Sequence, residues 1–292
     1  MKLPISAYLS WLHVSWLMHR IFGLKTYGIG WLASKVAEPF NFRFSGAPFC
    51  FLPEAARSYC LLPAGIPNEP ETHKFFKRLL RAVPNGRRVA FIDVGANVGE
   101  FAIPMAYEPC VASVIAYEPH AATVEALRAS AELVPDGKMT VIRKAVGASA
   151  GFSVFDMNDK APSGAGLRDI RDKHDGAEVE VCTLDDTLSI EQGTALIMLI
   201  DIEGGELNAL RGGLKLIATH HPLIVFEYNM VTRRYFKLSE VNDLLGEGYC
   251  LYRLRSEDGG LDFDLSSTWN VVALPLQGPW RFLSHHPQPI VG

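Results

Sequence analysis

Residues 88–100 read R-V-A-F-I-D-V-G-A-N-V-G-E, and this stretch decides the fold. Residues 88–94 form a short apolar run that leads directly into glycine, as a buried parallel strand does. Gly95 permits a sharp turn after that strand, and Gly99 permits the next helix to approach the sheet and a ligand closely. The stretch therefore predicts a strand, a glycine loop and a helix over residues 97–107.

On both sides of this loop, short apolar runs alternate with amphipathic segments. This alternation predicts a doubly wound, mostly parallel α/β sheet with helices on both faces. The strands are expected at residues 88–94, 113–117, 139–146, 196–202, 222–227, 249–254 and 269–274. Further helices are expected at residues 121–133, 206–220 and 238–245. An insert between the third and fourth strands should contain two short strands, at 152–155 and 178–183.

The glycine loop also limits the kind of ligand. The dinucleotide fingerprint needs a glycine two positions after Gly95, where this chain has Asn97. A pyrophosphate also prefers a helix start without negative charge, which Glu100 does not offer. Glu118 ends the second predicted strand, where a carboxylate accepts hydrogen bonds from both ribose hydroxyls of an adenosine. Asp93 and Glu100 instead favour a positively charged sulfonium ligand with an amino-acid tail.

Five sequence blocks between residues 71 and 275 carry a more specific signal. They are D-V-G-A-N-V-G-E-F at 93–101, A-Y-E-P at 116–119, T-L-D-D at 183–186, I-D-I-E-G-G-E-L-N-A-L-R-G-G at 200–213 and P-L-I-V-F-E at 222–227. Taken in this order, the blocks resemble the FkbM-type methyltransferases, a branch of the class I S-adenosylmethionine-dependent enzymes. The I-D-x-E-G-x-E run is the most specific of them.

The resemblance implies a fold, a cofactor and a reaction. The fold would be a Rossmann-like, seven-stranded sheet whose last strand runs antiparallel. The reaction would be methyl transfer from S-adenosylmethionine to a hydroxyl of a small molecule, sugar, glycan or natural product. Methylation of nitrogen or carboxylate, and a binding protein without turnover, are the alternatives. The residues expected to contact the cofactor are Asp93, Gly95, Asn97, Gly99, Glu100, Glu118 and Pro119, with Ala145 and Val146 beside the adenine.

Acidic residues end the fourth and fifth predicted strands, at the sheet edge where open α/β proteins bind ligands. Asp201 and Glu203 are two residues apart and therefore share a face, while Glu227 ends the neighbouring strand. We expect these carboxylates to hold an acceptor hydroxyl and take its proton. Binding of a divalent cation by the same carboxylates is the alternative, although the sequence assigns no metal site. His120 and His174 are further candidates for the base.

Composition excludes several other classes of protein. The chain has 28 Lys and Arg against 32 Asp and Glu, a net charge of −4. Such a chain offers no general surface for phosphates, so no nucleic-acid partner is expected. The five cysteines are far apart and lack C-x-x-C spacing, which indicates neither a disulfide framework nor a zinc site. We therefore expect a reducing, cytoplasmic location.

Residues 1–37 differ from the rest of the chain, since they contain four basic residues, three tryptophans and no acid. Their apolar run is shorter than the roughly 20 residues of a membrane span. Tryptophan beside lysine and arginine suits a helix in a lipid interface, although packing on the body or on a second copy in a homo-oligomer is the alternative. We predict that this segment docks on anionic lipid at the inner membrane face, or on a partner chain.

The expected domain organisation follows from these patterns. Residues 1–68 should form a helical, aromatic extension and a connector, because residues 45–70 are rich in proline and glycine. Residues 69–292 should form the methyltransferase domain.

Overall fold

The computed structural model describes residues 2–24, 29–156, 166–168 and 176–285. Its strands are β1 (Phe40–Phe44), β2 (Ala47–Phe51), β3 (Val89–Val94), β4 (Val111–Tyr117), β5 (Met139–Ile142), β6 (Ala145–Val146), β7 (Gly151–Asp156), β8 (Gly166–Arg168), β9 (Gly176–Cys182), β10 (Ala195–Ile200), β11 (Leu223–Glu227), β12 (Tyr249–Leu254), β13 (Leu261–Asp262) and β14 (Asn270–Pro275). Its α-helices are α1 (Ile5–Phe22), α2 (Ile29–Ala33), α3 (Pro70–Ala82), α4 (Ala102–Ala106), α5 (Ala121–Ala131), α6 (Leu184–Thr187), α7 (Glu206–Arg211), α8 (Leu214–His220), α9 (Leu238–Leu245) and α10 (Arg281–His285). Short 3₁₀ turns lie at Pro53–Tyr59, Leu62–Ala64, Pro135–Gly137, Thr232–Arg234, Gly246–Gly248 and Gly278–Trp280.

A central sheet with the strand order β13-β12-β14-β11-β10-β3-β4-β5 forms the middle of the molecule. Five adjacent strands of this sheet, β5, β4, β3, β10 and β11, are parallel to one another. Strand β14 is antiparallel to β11. This confirms the predicted α/β class and the reversed last strand. The two-residue strand β13 adds an eighth strand at the edge, where it pairs antiparallel with β12.

The side chains of β3 show how the sheet is covered on both faces. Val89 and Phe91 pack in one hydrophobic cluster with α3, and Ala90 and Ile92 pack in the other with α7 and α8. All six residues of β3 are buried. Because the strand is covered on both faces, its residues are apolar on both faces apart from Asp93 near its end.

Three predicted elements are divided or shortened in the structure. The third strand stops at Ile142, because the charged pair of residues 143–144 interrupts the apolar run; β6 then pairs with β9 in a second sheet of order β6-β9-β7-β8. The helix predicted over 206–220 breaks into α7 and α8 at Gly212, whose backbone lies against Gly147 so closely that a Cβ would be 2.0 Å from the Gly147 oxygen. The helix predicted over residues 97–107 is shorter in the structure, where only α4 (Ala102–Ala106) is helical, because the glycine loop continues up to residue 101.

Part of the predicted connector is a β-hairpin. Strands β1 and β2 pair antiparallel, and the turn between them has positive φ at both Ser45 and Gly46. Such a two-residue turn suits a hairpin. Phenylalanines alternate along both strands, and Phe49 and Phe51 are fully buried. The N-terminal extension is therefore helical and aromatic as predicted, but it also contains strands.

Helix α1 packs on the body of the chain through one face. Tyr8 and Leu12 are fully buried, and Leu3 forms a bridge with Val36. No helix among the described residues combines the length and apolar character that crossing a bilayer requires. The domain boundary at residues 68 and 69 stays a prediction.

Candidate active site

The glycine loop and the predicted catalytic residues lie side by side because β3 and β10 are parallel neighbours. Val94 is opposite Ile200, and the Asp201 amide donates a 2.9 Å hydrogen bond to the Val94 carbonyl. Gly95 has φ of 89°, and a Cβ at this position would lie 1.9 Å from the Asp201 carbonyl oxygen. Only glycine therefore permits the two strand ends to approach in this way.

Glu118 lies at the end of β4, as the sequence predicts. Its Oε2 accepts a 3.0 Å hydrogen bond from the Asn97 amide and its Oε1 a 2.8 Å bond from the His120 amide. Burial raises the pKa of Glu118 to about 7, although both amide hydrogen bonds oppose the shift. An ionised carboxylate accepts about four hydrogen bonds, so two lone pairs are left for ribose hydroxyls. Pro119, the next residue, is buried.

Asp93 provides the test of whether the loop suits a positively charged ligand. The side chain is 2% exposed, and its Oδ2 has no hydrogen-bond partner among the described residues. Burial raises the pKa of Asp93 to about 8, while an amide hydrogen bond from Ala102 opposes the shift. A buried carboxylate without a full set of partners is costly by itself. A ligand that brings positive charge or N–H donors would remove this cost, so the residues fit S-adenosylmethionine.

Glu100 and Gly99 have structural roles that the sequence does not indicate. Glu100 accepts hydrogen bonds from the Asn68 amide at 2.9 Å, from the Asn68 side chain at 2.6 Å and from His73 at 3.0 Å. A Cβ on Gly99 would lie 2.7 Å from the side chains of Ile103 and Leu127. Both residues therefore hold the loop against its neighbours, and their contact with the cofactor stays a prediction.

Ala145 and Val146 are buried in β6, where they pair with Val181 and Cys182 of β9. Packing within the protein already accounts for their burial. Their place beside the adenine stays a prediction.

Three carboxylates meet at the ends of β10 and β11 and are called the acidic cluster below: Asp201, Glu203 and Glu227. One oxygen of each lies within 4.8 Å of one oxygen of the others. The structure thus brings together the three residues that the sequence proposes as catalytic. Three oxygens at this spacing also suit a divalent cation.

Glu206 holds the turn that carries this cluster. Its side chain is fully buried and accepts hydrogen bonds from the amides of Ile202, at 3.1 Å, and Gly204, at 3.0 Å. The turn needs this support, because Glu203 has φ of 55°, which is uncommon for a residue other than glycine. Glu206 is therefore a positioning residue.

Burial and mutual repulsion raise the pKa values of the acidic cluster. Burial, followed by the charge of Glu227, raises the pKa of Asp201 well above its usual range. Burial and Glu206 raise the pKa of Glu203 to about 7, and burial and Glu203 raise that of Glu227 to about 8. Glu227 accepts from the Asn229 side chain through Oε1, while its buried Oε2 has no hydrogen-bond partner among the described residues. An oxygen is therefore available for a ligand hydroxyl.

Glu69 and Asn270 border the cluster but were not identified from the sequence. The Asn270 side chain donates to Glu69 at 2.7 Å and to the Thr72 hydroxyl at 2.9 Å. Burial raises the pKa of Glu69 to about 6. Asn270 is opposite Glu227 in the antiparallel pair β11 and β14, and this register is the signal that would locate it.

The structure says little about the two histidines that were proposed as alternative bases. His120 lies 2.6 Å from the Thr123 hydroxyl through Nδ1. His174 lies outside the described residues.

Comparison with known proteins identifies the family to which the chain is similar. The family model of the methyltransferase FkbM domain matches residues 93–254. A solved FkbM methyltransferase from Methylobacillus flagellatus KT is 17% identical, with a TM-score of 0.45 over 76% of this chain and 53% of that chain. This chain thus spans about half the length of that protein. TYW2 of M. jannaschii, solved in complex with AdoMet, is 11% identical, with a TM-score of 0.39 over 80% of this chain and 84% of that chain. No curated protein matches the chain significantly.

The matched residues span more than half of the chain and include the glycine loop, Glu118 and the acidic cluster. They also include β4, β10 and β11, whose ends carry Glu118 and the acidic cluster. S-adenosylmethionine is the cofactor of this family and of this chain. The chain belongs to the FkbM methyltransferase family.

Proposed function

We propose that the chain is an S-adenosylmethionine-dependent O-methyltransferase whose acceptor is a hydroxyl of a sugar, glycan or natural product. The acidic cluster is the observation that carries this proposal. A hydroxyl is a poor nucleophile near neutral pH, so a base whose pKa is close to the working pH accelerates transfer. Glu203 and Glu227, with pKa values of about 7 and about 8, meet this requirement.

The residues divide into two groups by their position. The cofactor, when bound, supplies a methyl group attached to a sulfonium sulfur. Asp93 and Glu118, at the ends of β3 and β4, bind its polar groups. Gly95 permits the end of β3 to lie close to Asp201 at the end of β10. Asp201, Glu203 and Glu227 hold the acceptor hydroxyl, and an oxygen of one of them takes its proton. Alignment of the acceptor and exclusion of water supply most of the acceleration.

The test compares Asp201→Asn with wild type, because the change keeps the shape and removes the charge. We expect turnover to fall by at least about a hundredfold, while cofactor affinity changes little. Methyl transfer from labelled cofactor to a panel of hydroxyl, amine and carboxylate acceptors measures the first quantity, and calorimetric titration measures the second. Full activity of Asp201→Asn with loss in Glu227→Gln would assign the base to Glu227 instead.

Two other outcomes would replace the proposal. Transfer only to nitrogen or carboxylate would overturn the O-methylation, and bound cofactor without any transfer would indicate a binding protein. Mass spectrometry of small molecules that co-purify with the protein would identify the acceptor class. A strict requirement for magnesium, abolished by a chelator, would recast the acidic cluster as metal ligands.

We also propose a cytoplasmic location and no nucleic-acid partner. The five cysteines are free thiols, which agrees with a reducing compartment. The net charge of −4 disfavours a surface that follows phosphates.

A further inference from the structure

Helix α1 has a second face that the described part of the chain leaves partly exposed. Its inner face is held by the body, where Tyr8 and Leu12 are fully buried. On the other side, large apolar side chains recur at intervals of three or four residues from Trp11 to Ile21, a spacing that places them on one helical stripe, and Phe22 follows directly. This outer face consists of Trp11, Val14, Leu17, Ile21 and Phe22, which are 36% to 64% exposed, and of Trp31 on the adjacent α2, which is 58% exposed.

Basic residues border the outer face. The Arg20 guanidinium lies 5.0 Å from the ring centre of Trp16, and the Lys35 ammonium lies 5.4 Å from that of Trp31. Residues 1–37 contain no acidic residue, whereas the whole chain has a net charge of −4. The excess of acid therefore lies entirely in the remainder of the chain, while Arg20 lies beside the half-buried Trp16 and Lys35 beside the exposed Trp31.

We propose that the outer face of α1, together with Trp31, docks on the surface of a membrane that contains anionic phospholipid. Apolar side chains enter the boundary between headgroups and acyl chains, and Arg20 and Lys35 contact the lipid phosphates. The helix lies along the surface and does not cross it, since its inner face is part of the hydrophobic core of the protein. Tryptophan is favoured at this depth because its ring is apolar and its N–H is polar.

Charge argues for lipid and against a second copy of the chain. A symmetric dimer through the outer face would bring the same patch of both copies together. Because residues 1–37 contain no acidic residue, the basic residues at the border of one patch would find only like charge in the corresponding segment of the other copy, which opposes association. An anionic membrane instead complements them.

The docking face is linked to the active site through the chain itself. Helix α1 packs beside the turn Leu62–Ala64. Four residues later, Asn68 donates two hydrogen bonds to Glu100, and Glu69 accepts from Asn270 at the acidic cluster. If the proposed function holds, docking presents the active site to acceptors carried on or near the membrane; the docking itself does not depend on that function.

Flotation of the full-length protein with vesicles tests the docking. One set of vesicles is phosphatidylcholine with phosphatidylglycerol and the other is phosphatidylcholine alone. We expect wild type to float with the anionic vesicles at least about tenfold better than with the neutral ones, and less as salt is added. Asp201→Asn should float like wild type, which separates the docking from catalysis.

Substitutions on matched exposed positions make the test specific. The double variant Leu17→Glu, Ile21→Glu should lose flotation by at least about tenfold, while Phe152→Glu should not, although Phe152 and Ile21 are 62% and 59% exposed. Arg20→Gln with Lys35→Gln should lose the preference for anionic vesicles. Unchanged melting temperatures establish that the variants are folded.

Three results would overturn the proposal. The first is wild type that does not float with anionic vesicles, and the second is a Leu17→Glu, Ile21→Glu double variant that floats as well as wild type. The third is a dimer in light scattering that Leu17→Glu, Ile21→Glu converts to a monomer, without lipid binding by either protein.

Discussion

Replacing Glu118 by alanine should weaken binding of S-adenosylmethionine by about 2 kcal/mol, or about 30-fold in Kd. The carboxylate is 6% exposed and already accepts the amides of Asn97 and His120. Its two other lone pairs are the ones expected to accept the ribose hydroxyls, and hydrogen bonds to a charged acceptor are stronger than neutral ones. The alanine variant loses both of them.

The pKa of Glu118 adds a pH dependence whose sign can be stated. Burial raises this pKa from 4.5 to about 7, which corresponds to about 3 kcal/mol. Without cofactor, protonation of the Glu118 carboxyl therefore stabilises the folded state relative to the unfolded state. That stability is fully present below about pH 4.5 and is lost as the pH rises through about 7. The ribose hydroxyls favour the ionised form instead, so cofactor affinity should rise as the pH rises through about 7.

Calorimetric titration with S-adenosylmethionine between about pH 6 and about pH 8 measures the loss of affinity in Glu118→Ala and the pH dependence of the wild-type affinity. Glu118→Gln should bind weakly, and its affinity should not change with pH through this carboxyl. Glu125→Gln, on the exposed side of α5, is the control and should bind like wild type. Unchanged affinity in folded Glu118→Ala and Glu118→Gln would show that the end of β4 does not hold the ribose, and the assignment of this strand to the cofactor would be wrong.

Two further predictions concern the strand ends. Gly95→Ala should lower the melting temperature far more than Gly86→Ala. Both glycines have positive φ, but only a Cβ at Gly95 would meet a backbone oxygen, that of Asp201 at 1.9 Å. Equal decreases in melting temperature would show that the backbone conformation alone is responsible. Turnover should increase as the pH rises through about 8, where Glu227 loses its proton and becomes able to act as a base, and Glu227→Gln should flatten this limb of the kcat/KM profile. A limb that persists in Glu227→Gln would exclude Glu227 as its origin.

The candidate site is only partly visible in the sequence, and Glu100 shows why. Its place after the glycine loop predicts a contact with the cofactor, which stays a prediction, and the structure adds hydrogen bonds of its carboxylate with Asn68 and His73. Neither partner could be anticipated, because they lie about 30 residues away in a segment whose path depends on the packing of α3. Glu69 and Asn270 were missed for the same reason, since they are far apart in sequence and adjacent only after β14 has paired with β11.

The parallel sheet, the glycine loop and the positions of Glu118, Asp201 and Glu227 were predictable from the amino-acid sequence alone. These features are local: an apolar run that ends in glycine specifies a buried strand and its turn, and a carboxylate directly after such a strand must lie at the sheet edge. The β-hairpin, the break at Gly212 and the pKa values of the acidic cluster emerged only from the folded arrangement of the chain. Those depend on which distant groups come into contact and how far water is excluded, and burial is a property of the whole packed chain.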